Sequence, residues 1–413
     1  MKTAFDVAIV GAGPAGSSAA ILLARAGWSV ALIERQTFPR RKVCGECVAA
    51  SNLALLDALG VGAAFDRFAG AELRRVALMH GGDAIVASLP PGEGAYRWGR
   101  ALGREHFDTL LASAAEDAGA TRLQPWALQS IAGSAGRFRL RVRALDGAGD
   151  EIELHAGLVV AAHGSWEPLP SERAARRERR SPSDLFAFKA NFRGAAIASD
   201  LLPVLSFCGG YGGMVVADGA IATIACCVRE DRLQALRAEQ PGERAGDVVE
   251  AMLRRECAGV GEALSGATRE GAWLASGPLR PGVRLGAGDG VFRIGNAAGE
   301  AHPIVGEGIS MALQSAFVLA ALIAPIRSNL LGVSSADTAQ AGALVRYEAM
   351  WRRRFSRRLR VAATFAHVAM RPSLAQVVWP IVQRWPSVLT QGARFSGKTR
   401  CAPEAVRLVA TDP

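Results

Sequence analysis

Lysine is almost missing from this chain of 413 residues. Only Lys2, Lys42, Lys189 and Lys398 occur, so arginine carries nearly all of the formal net charge of +10. An arginine surplus can mark nucleic-acid binding, but no recognition motif accompanies it, and no nucleic-acid partner is expected. Cysteine is sparse and irregular, with seven residues and one close pair, Cys44 and Cys47. That pattern excludes a secreted disulfide framework and falls short of a four-ligand zinc site; no metal is expected, and a reducing, cytoplasmic setting is. Long apolar runs are also lacking. The longest, Phe317 to Pro325, is about half of what a bilayer span requires, so the chain reads as soluble, with peripheral membrane contact the only membrane association compatible with it. Repeats and low-complexity tracts are absent. Half of the residues are apolar, which argues for a globular chain, and the length argues for more than one core.

What is present begins at the N-terminus. Phe5 to Val10 has the pattern of a buried strand and is followed at once by Gly11-Ala12-Gly13-Pro14-Ala15-Gly16. Ser17 to Ala26 reads as a helix of small residues closed by Gly27, and Ser29 to Ile33 as a second strand ending in Glu34-Arg35. This is a βαβ unit with a dinucleotide fingerprint. Gly11 allows the tight turn, Gly13 lets backbone approach a pyrophosphate, and Gly16 lets the helix pack close to the strand. The helix start offers free N–H groups to phosphate, and Glu34 is placed to accept from a ribose. Gly11, Gly13, Pro14, Ala15, Gly16, Glu34 and Arg35 are therefore the candidates for binding the nucleotide half of a cofactor. The motif alone leaves FAD and NAD both open.

Further along, Ser51–Leu59 and Arg104–Ala118 read as helices, and Arg137–Ala144, Glu151–Leu154 and Leu158–Ala162 as strands. Strand-like segments recur from Leu185 to Val228, interrupted by the glycine-rich segment at 208–213. A helical stretch follows at about 240–265, then a strand at Val291–Ile294 and a helix from about Gly308 to Ala324. The charge run at 171–180 reads as an exposed linker or helix. The region beyond 340 reads as helical and rich in arginine.

The segment Arg293-Ile-Gly-Asn-Ala-Ala-Gly-Glu-Ala-His-Pro-Ile-Val-Gly-Glu-Gly-Ile-Ser-Met-Ala312 decides between the cofactors. Together with the βαβ unit it resembles the flavoprotein superfamily of p-hydroxybenzoate hydroxylase, geranylgeranyl reductases and flavin-dependent halogenases. The resemblance implies FAD. It places Gly295 and Asn296 at the ribityl chain, and Pro303, Gly306, Gly308 and Ile309 against the flavin ring, where a helix start stabilises reduced flavin. Asn296 stands where the family usually has Asp. Arg104, in Arg-Glu-His-Phe-Asp, matches a helix start beside the pyrophosphate. His163, in His163-Gly164, replaces a family carboxylate, so direct use of NAD(P)H is in doubt and a separate reductase is the other electron donor expected.

Cys44-Gly45-Glu46-Cys47 resembles the loop that runs near the flavin in the reductase and halogenase branches. Cys44 and Gly45 then line the cavity while Glu46 fixes the loop; alternatively Cys44 and Cys47 form a redox pair, or they only pack. Cys44, Glu46 and His302 are the catalytic candidates. Lysine scarcity between Lys42 and Lys189, and isolated Trp98 and Trp126, speak against a halogenase. The expected fold is α/β, α+β overall, with a Rossmann-like FAD domain (1–70, 99–170, 280–330), a mixed-sheet substrate domain (71–98, 181–279) and a helical region (340–413). The expected activity is an O2-using monooxygenase, a hydroxylase of an aromatic or hydrophobic small molecule or peptide. A reductase of isoprenoid alkenes and a non-catalytic FAD-binding protein are the alternatives. Candidate pocket residues on the second sheet are Phe186, Phe188, Phe207, Tyr211 and Met214.

Overall fold

Residues Phe5–Val10 alternate small and β-branched side chains with no charge after Asp6, which suits a strand covered on both faces. In the computed structural model, which describes residues 2–395 apart from 148, 166, 173–179 and 333–335, this strand, Ala4–Val10, lies at the centre of a seven-stranded sheet. It pairs in parallel with Val30–Ile33 on one side, Val7 opposite Val30, and with Glu151–Ala161 on the other, Val7 opposite Leu158. Thr121–Leu123 extends the parallel edge, and Phe138–Ala144 and Trp126–Ala132 continue it antiparallel. The short strand Phe292–Arg293 also pairs with Glu151–Ala161. It thereby brings the segment at 293–312 back to the ends of the first strands.

Helices Pro14–Arg25, Arg104–Asp117 and Gly308–Ile323 pack together, the first touching both others. Their apolar residues share one core with the buried face of the first sheet. The long helix Ala336–Ala369 adds Tyr347, Trp351 and Phe355 to that core. The Tyr347 hydroxyl donates to the backbone oxygen of Arg293 at 2.9 Å, holding the helix against the strand Phe292–Arg293.

A second, eight-stranded sheet contains Leu185–Arg193, Ile221–Arg229, Gly210–Ala217 and Leu201–Phe207 in antiparallel succession, then Arg75–His80 and Asp83–Ser88. One face packs on helices Glu230–Glu239, Ala245–Glu256 and Ala258–Ala263 through Phe188, Phe207, Met214 and Val248. The other face is turned toward the first sheet's glycine-rich loops.

Several expectations are corrected. The first helix begins at Pro14, because proline lacks only an N–H that a first turn leaves unbonded in any case. Glu151–Leu154 and Leu158–Ala162 are one strand of 11 residues; within it Gly157 leaves room for Leu331, which a Cβ would meet at 2.4 Å. The glycines at 208–213 do not interrupt the second sheet. Only Cys208 and Gly209 turn, and Gly210 onward is strand. The stretch at 240–265 is two helices, not one. Gly308–Leu331 is a helical stretch of 24 residues, long and apolar enough to cross a membrane, yet mostly buried within the fold. Most of the charge run and the chain after Phe395 lie outside the described residues.

The two sheets are tied at one buried point. Lys189 donates to Oε1 of Glu46, which also accepts the backbone N–H of Arg104 at 3.0 Å, while Thr223 Oγ1 donates to Glu46 Oε2 at 2.6 Å. Lys189 and Glu46 are both almost completely buried. Lys189→Met is expected to cost about 3–5 kcal/mol, because it leaves a buried carboxylate without its cation. Urea unfolding measures this, and the double variant Glu46→Gln/Lys189→Met should recover much of the loss. A single variant as stable as the unmodified chain would show that the pair contributes nothing.

Candidate active site

The turn after the first strand is shaped for a ligand. Gly11 has φ +107°, and a Cβ there would lie 2.5 Å from the Ala162 carbonyl oxygen. A Cβ on Gly16 would overlap the Gly11 oxygen at 1.8 Å. Both glycines are thus required by packing. Gly13 is different, because the nearest atom to its Cβ position is an Arg104 guanidinium nitrogen at 3.7 Å. Its open side faces the cavity that Pro14 and Ala15 also line. Glu34 is buried behind this turn, accepting Ala12 N–H and Gln36 N–H at 2.8 Å each. Each carboxylate oxygen keeps a second lone pair for a ribose hydroxyl. Arg35 is exposed at the strand end and does not line the cavity.

Cations gather where a diphosphate would lie. Arg104 is buried and held by Asp108 through two bonds of 2.6 and 2.8 Å. Arg40 lies 3.6 Å from Asp108 and 3.9 Å from Glu34, and its buried Nε has no hydrogen-bond partner. Lys42 lines the cavity beside Gly164. Burial, then Arg104 and Arg40, push its ammonium down to about 8, against the pull of Asp108 and Glu34. A cluster whose charges depress one another is a ready anion site. The basic run Arg40-Arg41-Lys42 is the sequence signal for this cluster.

The ring end is built from two loops and a helix start. Cys44 and Gly45 line the cavity, with Gly45 open to it. Glu46 has φ +59°, a left-handed conformation that costs a non-glycine residue about 1–2 kcal/mol. Its fully engaged carboxylate holds it there, which fits fixing the loop rather than reacting. Cys44 Sγ accepts Glu46 N–H at 3.4 Å and bonds Arg104. Cys44 and Cys47 are both free thiols. Opposite them, Pro303–Val305 makes a 3-10 turn, Gly306 takes φ +65°, and helix Gly308–Ile323 starts at the cavity wall with Gly308 and Ile309. The first-turn N–H groups of that helix have no partner inside it.

Asn296 is not an isolated loss of charge. Its Nδ2 donates to Ser165 Oγ at 2.9 Å, Ser165 Oγ donates to Glu300 Oε1 at 2.6 Å, and Arg284 donates to Glu300 Oε2 at 2.6 Å. Asn296, Ser165 and Glu300 all line the cavity. Gly295 lies beneath them, its N–H donating to Ser315 Oγ at 2.8 Å. The carboxylate missing at Asn296 is present four residues later, at buried Glu300. Neither Ser165 nor Glu300 was singled out from the sequence, because no motif distinguishes them. His163 lies 3.6 Å from Glu172, away from this group.

His302 meets the second sheet. Tyr211 Oη lies 3.1 Å from His302 Nδ1, and Tyr211 is buried. Burial, helped by His367, holds His302 below the usual histidine range. Burial, with Cys227 and Glu300 adding, holds the Tyr211 phenol well above its usual value. The pair is therefore a neutral imidazole and a protonated phenol at neutral pH. Of the other pocket candidates, Phe188, Phe207 and Met214 belong to the core behind the sheet, with Met214 also reaching the cavity, and Phe186 packs against that core.

The cavity has a volume of about 560 Å³. From the two loops it continues between Val76, Leu78, Leu202 and Val204 of the second sheet and Phe365, Val368 and Trp379 of the C-terminal helices. Its inner end is polar and its long outer part apolar.

Residues 4–353 match the family model described as an FAD binding domain. The chain is 28% identical to menaquinone reductase of Mycolicibacterium smegmatis, covering 96% of this chain and 92% of that protein. It is 26% identical to kynurenine 3-monooxygenase of Salinispora arenicola, over 76% of this chain and 71% of that one. Among solved structures, a flavin-dependent brominase superposes with a TM-score of 0.75 at 17% identity, covering 99% and 97% of the two chains. At that identity the likeness is one of fold. The cofactor is FAD, and the open Gly13, the cation cluster and the helix start at Gly308 fit it.

Two outcomes test the cradle. Gly13→Val should abolish FAD retention, because its side chain fills the space a diphosphate takes; normal flavin absorbance in the purified variant would refute this. Lys42 carries its proton below about 8 and sheds it above, so FAD affinity should fall as pH rises through that value. Fluorescence titration of apoprotein measures it, and Lys42→Met should flatten the dependence.

Proposed function

The chain belongs to the FAD binding domain family, and from that premise we propose that it reduces a carbon–carbon double bond in a long apolar, prenyl-like substrate. The observation that carries this reading is the apolar corridor leading away from the ring end of the site. A compact aromatic would need only the inner end, whereas a chain of isoprene units would fill the whole length. The full-length similarity to a menaquinone reductase supports the same substrate class.

Reduction of an alkene requires a hydride and a proton. Bound FAD, once reduced, supplies the hydride. The residues of this chain do the rest. Tyr211 holds a proton at Oη inside the cavity, and its raised pKa keeps that proton in place at neutral pH. His302 Nδ1, hydrogen-bonded to Oη, orients the phenol and provides its route of reprotonation. The Cys44–Gly45 loop and Gly308 set the cofactor face against the corridor, and the apolar walls exclude water. Lys42 and Arg104 hold the diphosphate at the far end.

Hydroxylation of an aromatic substrate with O2 is the second reading. It is supported by the similarity to kynurenine 3-monooxygenase and by the dry inner wall. Halogenation has less support: Lys42 lies at the nucleotide end, and Lys189 is sealed against Glu46. NAD(P)H or a separate reductase would provide the electrons.

A single-turnover experiment separates the readings. The FAD-loaded protein is reduced without oxygen, then mixed with a menaquinone or, separately, with aromatic candidates and heavy-isotope oxygen. Flavin reoxidation coupled to a product that keeps two added hydrogen atoms in its prenyl chain after the quinone ring is reoxidised supports the reductase. A product that gains labelled oxygen overturns it in favour of the hydroxylase. Tyr211→Phe should slow product formation by about 10²–10⁴-fold, the range for removing a positioned proton donor, while leaving FAD bound.

A further inference from the structure

Two helices close the outer end of the cavity, Pro372–Arg384 and Ser387–Phe395. Both carry apolar side chains on two faces. Ala375, Val378, Trp379, Val382 and Leu389 face inward and line the corridor. Leu374, Val377, Ile381, Trp385 and Val388 face outward and are 38% to 67% exposed. Leu374, Val377 and Ile381, spaced three and four apart, share one face of the first helix, and Trp385 and Val388 carry the exposed apolar surface across the junction into the second. A contiguous stripe of large apolar side chains left in water is unusual for a protein surface and marks a contact. Val388 belongs to both sets, because it lines the cavity and is 43% exposed. The corridor therefore opens within the exposed stripe.

The charge carried by this part of the chain has one sign. Between Glu348 and Glu404 the chain holds no Asp or Glu and eleven Arg or Lys. Arg371 and Arg384 bracket the first helix, and Arg394 ends the second; all three are exposed. The arginine-rich helix Ala336–Ala369 turns most of its large apolar side chains inward. Tyr347, Trp351, Phe355 and Leu359 of Ala336–Ala369 are buried in the core, and the exposed stripe lies on the next two helices.

We propose that this face docks on an anionic lipid bilayer, with the mouth of the corridor opening among the acyl chains. An apolar stripe bordered by arginines is the composition of a helix lying in a membrane interface. The lone charge sign argues against a second copy of the chain as the occupant, since two such faces would bring their arginines together. The stripe is continuous with a hydrophobic corridor, so a substrate held in the bilayer reaches the site without crossing water. This docking stands whether the chemistry at the inner end is alkene reduction or hydroxylation.

Co-sedimentation of the full FAD-loaded chain with vesicles tests it, read by flavin absorbance in the pellet. Vesicles containing phosphatidylglycerol should bind the protein at least tenfold more tightly than phosphatidylcholine alone, and added salt should weaken that binding. Val377→Glu/Ile381→Glu should reduce vesicle binding at least tenfold, with unchanged flavin content and unfolding midpoint. The gentler Val377→Ser/Ile381→Ser should fall between. Protein remaining in the supernatant with anionic vesicles, or equal binding by both variants and the parent, overturns the proposal. So does a dimer in solution that Val377→Glu/Ile381→Glu splits, since the stripe would then be covered by a second copy.

Discussion

A carboxylate buried between two sheets has to be neutralised where it stands, and much of this molecule is arranged around that requirement at Glu46. Its partners come from three separate places: Lys189 and Thr223 from neighbouring strands of the second sheet, and the backbone of Arg104 from the first domain's helix start. Removing a charge from water is costly unless geometry and hydrogen bonds restore what was lost. Here three donors converge on two oxygens, and they hold Glu46 in a backbone conformation that it would otherwise avoid. The same contact joins the second sheet to the start of helix Arg104–Asp117. It also fixes the Cys44–Gly45 loop that forms one cavity wall.

The rest of the site is organised by the same rule, that charges in a poorly hydrated space must be matched or left to await a ligand. At the ring end the matching is internal. Asn296, Ser165, Glu300 and Arg284 form a chain of hydrogen bonds that places one negative and one positive charge together. At the nucleotide end it is incomplete. Arg40, Lys42 and Arg104 face Asp108 and Glu34 with an unpartnered Arg40 Nε, and burial, with the repulsion of Arg104 and Arg40 added to it, depresses Lys42. A diphosphate completes that end. The polar region then gives way to an apolar corridor in which nothing charged is stabilised.

The C-terminal helices join that corridor to the surface. The long helix Ala336–Ala369 uses its aromatic residues to seal the core, and its end hands the chain to two shorter helices that are apolar both inside and outside. Thr390 Oγ1 donates to the Ser88 carbonyl at 2.7 Å, tying the last helix to the edge strand of the second sheet. The outer wall of the cavity thus carries much of the exposed apolar side-chain surface of the described residues, and Phe365 and Val388 stand on both.

The nucleotide half was legible because its requirements are local. Gly11, Gly13, Gly16 and Glu34 are set by one turn between one strand and one helix, and their spacing in sequence is their spacing in space. The segment at 293–312 was legible for the same reason. The sequence also determined the layout of strands and helices closely, since the apolar patterns that report it are short-range. It could not determine contacts between residues far apart in the chain. Glu300 with Ser165, Tyr211 with His302, and Lys189 with Glu46 are separated by 91 to 143 residues, and no spacing rule records them. Nor did periodicity say which apolar helix faces would find a partner: Tyr347 and Trp351 were covered by the core, while Val377 and Ile381 were not. Burial and long-range pairing are properties of the packed chain, and only the tertiary structure decided them.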